Sequence, residues 1–163
     1  MNYLLFGGQP DSGKTSAVTR LVNHLLTVPF SFRIIDGTFL PSRGNDFLIL
    51  LERKNNDNLS QYIIINSPSD DALPINKLRD FIDKHNDKTI DLVISSVRDI
   101  GWERSHFFAT LKINPTDNNV FEIPLARVTR RKTSGLFGPA LSWYENTLDR
   151  HINFIIINAP FNL

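Results

Sequence analysis

A chain of 163 residues is long enough for one proper hydrophobic core, and its 41% apolar and 21% charged content is that of an ordinary globular domain. It has no cysteine, which excludes disulfides, thiolate catalysis and cysteine-based zinc sites. A formal net charge of +1 offers no general attraction to nucleic acid or to an anionic membrane surface.

Tyr3-Leu4-Leu5-Phe6 reads as a short buried strand. The stretch Gly8 to Thr15, G-Q-P-D-S-G-K-T, follows it. Ser16 to Leu26 then has the spacing of an amphipathic helix, with Ala17, Val18, Leu21, Val22, Leu25 and Leu26 on one face. Entering a strand at once leaves no room for a secretory leader, and no apolar run approaches a membrane span, so a soluble cytoplasmic protein is expected.

Strand, glycine-bounded loop and helix form the setting of a phosphate-binding loop. Gly8 and Gly13 can take backbone angles closed to other residues, so the chain can wrap an anion closely. The amides of Asp11 to Thr15 then form a nest, with the positive end of the new helix behind them. The pattern is G-x-x-x-x-G-K-[ST], and the chain here resembles the P-loop (Walker A) nucleoside triphosphatases and P-loop kinases. The resemblance implies a three-layer fold with a doubly wound, mostly parallel sheet, and a bound nucleoside triphosphate with Mg²⁺. It implies Gly8, Asp11, Ser12, Gly13, Lys14, Thr15 and Ser16 around the phosphates. Lys14 would clamp the outer phosphates and the Thr15 hydroxyl would ligate the metal.

Thr27-Val28-Pro29 ends the first helix, and Phe30 to Ile35 reads as a second strand closing on the turn Asp36-Gly37. Phe39 to Asn45 reads as loop. Phe47 to Arg53 and Gln61 to Asn66 read as an antiparallel hairpin across the polar turn Asn55 to Asn58. A hairpin here is closer to the GTPase type of P-loop protein than to the simple kinases. Asn66 to Asp71 is a loop leading into a helix over Pro74 to His85. Thr89 to Val97 is a buried strand and Trp102 to Leu111 a helix. Val120 to Val128 is a strand interrupted by Pro124, with its pairing open. Arg127 to Gly138 is a basic, glycine-containing loop, Ala140 to Arg150 a helix, and Phe154 to Ile157 a last strand. The alternation predicts one α/β domain over 1–163, with helices on both faces of the sheet and one antiparallel hairpin strand.

A P-loop enzyme needs an acid near Mg²⁺, at the end of a strand beside the first. The strand Tyr62 to Ile65 ends in Asn66, which can hold a metal-bound water but supplies no charge. Asp70, four residues on, is one candidate for the catalytic and metal-binding acid; Asp36 is its rival, and each also reads as a turn or cap residue. Ser96-Val97-Arg98-Asp99 matches the guanine-reading N-K-x-D only in its aspartate, which leaves ATP as the default nucleotide. Arg131, with Arg127, Arg130 and Lys132, reads either as a lid closing over phosphate or as a solvated basic turn. Arg98 points at the same crevice or pairs with Asp99 or Glu103. Trp102, Trp143, Tyr144 and the phenylalanines read as core. His24, His85, His106 and His151 show no metal-ligand spacing.

Three readings stay open: an ATPase whose turnover drives or switches something, a small-molecule kinase, and a module that holds nucleotide without turnover and acts through a protein partner. Overall neutrality argues against a nucleic-acid partner.

Overall fold

The computed structural model describes residues 1–39, 45–54, 59–128 and 137–163. In chain order it forms β1 (Asn2–Gly8), α1 (Lys14–Leu25), β2 (Arg33–Gly37), β3 (Leu48–Lys54), β4 (Ser60–Asn66), α2 (Ala72–Lys84), β5 (Ile90–Arg98), α3 (Trp102–Leu111), β6 (Val120–Pro124) and α4 (Phe137–Ile157). The strands make one six-stranded sheet in the order β2-β3-β4-β5-β1-β6. β1 pairs in parallel with β5 and β6, and β4 with β5. β3 is antiparallel to both β2 and β4 and is the single reversed strand.

The run Tyr3-Leu4-Leu5-Phe6 is apolar throughout because both faces of β1 are covered. Leu4 and Phe6 join a core with Ala17, Val18, Leu21 and Leu25 of α1 and Leu148, Ile152 and Ile156 of α4. Tyr3 and Leu5 face the other way, into a core with Ile75 and Leu78 of α2 and Phe107 and Leu111 of α3. The odd and even isoleucines of β4 divide in the same way, Ile63 and Ile65 against Ile64. The result is an α/β architecture of three layers.

Some expected features differ, and the second strand runs Arg33–Gly37 rather than Phe30 to Ile35, so Asp36 and Gly37 close the strand instead of forming a turn after it. Phe154 to Ile157 is not a strand but the last turn of α4. The buried residues Leu148, Ile152 and Ile156 recur every four positions, so the helix continues through the apolar run, leaving Phe154 and Ile157 exposed. Trp102 and Trp143 are not core: they are 57% and 69% exposed. β6 stops at Pro124 and lies on the sheet edge, the place where a missing amide is tolerated.

Among the described residues no helix is long and apolar enough to cross a membrane.

Candidate functional site

α1 leaves β1 on one face of the sheet and α3 leaves β5 on the other, since the two helices pack into different cores. Adjacent parallel strands whose connections diverge open a crevice at their carboxyl ends. The glycine-rich loop stands there, joining Gly8 at the end of β1 to Lys14 at the start of α1.

The loop is folded tightly. Gly13 has φ 84° and ψ 20°, left-handed angles that a side chain resists. A Cβ on Gly8 would lie 2.4 Å from Ser12 Oγ. Asp11 at the tip is also left-handed, at φ 59°. No side chain caps the N-terminus of α1, and its first turn carries no acid, so its leading N–H groups are open to an anion.

Lys14 is 7% exposed, and its ammonium donates to the Gly8 and Gln9 carbonyls at 2.9 and 2.8 Å. Burial pulls its pKa down, opposed chiefly by the carboxylate of Asp70. Ser12 Oγ is buried without a hydrogen-bond partner.

The mouth of the crevice brings Lys14, Thr15 and Ser16 together with Asp46, Ser67, Asp70 and Ser96. Asp70 is thus at the loop. Arg98 pairs with it, Nε to Oδ1 at 2.9 Å, close in charge but not aligned as a hydrogen bond, rather than with Asp99 or Glu103. Asp46, Ser67 and Ser96 were not anticipated. Asp46 stands just before β3 and only the sheet order brings it here; Ser67 Oγ lies 3.5 Å from Asp46 Oδ1 and accepts the Phe47 amide at 2.8 Å.

Asp36 is not at the site. It lies on edge strand β2, four strands from β1, and follows the register through Leu50, Ile64 and Val93 to the level of Tyr3, well below Gly8. Its carboxylate is held by Lys84 and His85 at the end of α2, and Lys84 foremost lowers its pKa to about 2.

β4 does not lie beside β1: β5 stands between them. Asn66 is paired with Ser95, three residues short of the Arg98 level at which Gly8 sits. It is 1% exposed, and its amide nitrogen donates to the Pro68 carbonyl at 2.6 Å and to Ser95 Oγ at 3.1 Å. Ser96 Oγ donates to the Ser67 carbonyl and lies 2.9 Å from Ser69 Oγ. This buried network fixes the segment that carries Asp70 from β4 up to the loop.

On the α4 side a cavity of about 370 Å³ adjoins the loop at Asp11, Ser12 and Gly13. Val128, Leu141, Tyr144 and Leu148 give it apolar walls, and Asn23 and Glu145 give it polar edges. The Tyr144 hydroxyl accepts the Ala126 amide at 2.8 Å, which ties this wall to the segment after β6. Arg20 fastens α1 to α4 beside it, through Glu145 at 3.1 Å and Asp149 at 2.8 Å. Asp11 turns outward, 3.6 Å from Arg127. Arg131 lies outside the described residues, with Arg130 and Lys132. Among the described residues no group of three acids or histidines is arranged to hold a metal.

No family model, curated protein or solved structure matches the chain.

Proposed function

We propose that the chain binds a nucleoside triphosphate, ATP by default, with Mg²⁺, and hydrolyses its γ-phosphate. The observation that carries the reading is one crevice that joins an uncapped helix N-terminus, a buried lysine and two acids, Asp46 and Asp70. A polyanion would replace the loop carbonyls as the partner of Lys14 and relieve its cost of burial. The amides of Asp11 to Ser16 would orient the phosphates. The cavity between the loop and α4 is large enough for a nucleoside and adjoins the cradle without overlapping the acids. Thr15 and Asp70 would hold Mg²⁺, which draws charge from the phosphate oxygens. The outward turn of Asp11 toward Arg127 keeps its carboxylate off the phosphates.

A second reading, nucleotide held without turnover for a protein partner, is favoured by the share of Asp70 charge that Arg98 takes up. Calorimetric titration with Mg²⁺–ATP and steady-state phosphate release separate the two. Binding with release supports turnover, and binding without release supports the second reading. No binding of ATP, GTP or tripolyphosphate refutes both.

A further inference from the structure

The sheet edge opposite the loop carries a second concavity of about 360 Å³, lined by Ser31, Arg33, Glu52, Arg53 and Lys54. It lies at the level of Ile90 on β5, where the loop lies at Arg98, a separation of about 26 Å at the rise of a strand. Among the described residues three cations and one acid meet here. Glu52 is committed: it is 7% exposed and accepts from Arg33 and from the hydroxyls of Ser60 and Tyr62. Arg53 has no acid. Its guanidinium lies 4.7 Å over the Phe32 ring and donates to Gln61 Oε1 at 2.6 Å, while its Nε is buried with no acceptor. Lys54 is exposed and forms no ion pair among the described residues.

A partly dehydrated guanidinium held in place by an aromatic ring and a neutral amide is costly unless an anion completes it. We infer that this concavity binds a phosphate dianion, free or carried by a small phosphomonoester, with Arg53 and Lys54 supplying two charges that no acid among the described residues balances. The site is independent of the glycine-rich loop.

The test is an amide-resolved NMR titration of the whole chain with inorganic phosphate and, separately, phenyl phosphate. The expected result is shifts at Ser31, Arg33, Arg53 and Lys54 that saturate. Arg53→Gln with Lys54→Gln should weaken this response at least about tenfold, the loss of one charge-assisted contact or more. Any response at the loop should be unaltered. Tighter binding of phenyl phosphate assigns the site to a phosphomonoester, and equal binding to phosphate itself. If the double variant does not fold, the exposed Lys54→Gln alone should weaken the response severalfold. Shifts confined to residues 7–16, or a response at Arg33 to Lys54 unchanged by the substitutions, would overturn the inference.

Discussion

Lys14→Met separates what the buried lysine does for the fold from what it does for an anion. Met keeps the apolar stem and removes the ammonium. In the free protein two carbonyls lose their donor. The Gln9 carbonyl belongs to an exposed residue and turns to water; that of Gly8 is buried, and leaving it unpaired costs about 1–3 kcal/mol. Against this, the variant no longer buries a charge whose pKa burial already depresses. The two effects oppose each other, so stability should change by about 1 kcal/mol or less, a few degrees in Tm at this chain length. The effect on a polyphosphate is larger, because the ammonium then bonds a charged oxygen in place of two neutral carbonyls. One charge-assisted hydrogen bond is worth about 1.5–3 kcal/mol, so ATP affinity should fall about 10- to 100-fold. Thermal unfolding and calorimetric titration on the same samples read both quantities. A variant that unfolds many degrees early and binds ATP within threefold of the parent would make Lys14 a structural residue and refute the reasoning.

Leu141→Trp should fill the cavity beside α4, weakening ATP about tenfold or more while tripolyphosphate binds as before; equal losses for both would place the nucleoside elsewhere. Asp70→Asn should leave folding intact and cut Mg²⁺-dependent phosphate release roughly tenfold, with Asp46→Asn as the parallel test; unchanged rates in both would remove these acids from the mechanism. The Asp36 carboxylate has its pKa lowered to about 2 from a usual value near 4, so the stability it adds is present above about pH 4 and is lost as pH falls through about 2. Discounted for exposure it amounts to roughly 1 kcal/mol, and Asp36→Asn should flatten that part of the acid denaturation curve, whereas an identical curve would show that the ion pair adds nothing. Asn66→Asp should destabilise the fold by about 1–3 kcal/mol at pH 8 and by less near pH 4, where a protonated acid can still donate to Pro68; no pH dependence would refute the bonding assigned to Asn66.

The layers were legible because β1, β4 and β5 are buried on both faces and so read as continuous apolar runs. The glycine-rich loop was legible because its conformational demands fall on residue types, a glycine at a left-handed position and a lysine at the helix start. Strand order was not. Whether β4 or β5 lies beside β1 depends on how two crossovers pack, and no short pattern carries that. Asp36 shows the same limit: a strand with an Asp near its end carries nothing in its own pattern to say whether it lies beside β1 or, as here, at the far edge. The final helix failed for a local reason. Four apolar residues in a row fit a short strand as well as the end of a helix, and the buried series Leu148, Ile152, Ile156 decides between them only once its partner core is known.

The amide at Asn66 is better understood from its surroundings than as a lost acid. A carbonyl oxygen only accepts, so the atom 2.6 Å from the Pro68 oxygen is the amide nitrogen, and the side-chain orientation follows. A carboxylate at this position would set oxygen against oxygen in a place 1% exposed. The end of β4 also lies three rungs below the level of Gly8, about 10 Å along the strand. The fold instead uses Asn66 to tie β4 to β5 and to start the segment over Ser67 and Ser69, which climbs to the mouth and delivers Asp70. Asp46 arrives from the segment before β3, held to the same hydroxyl of Ser67. Negative charge at the mouth therefore comes from two connecting segments joined through one serine. A Ser67→Ala substitution disturbs both at once, while leaving the lysine and the loop amides as they are.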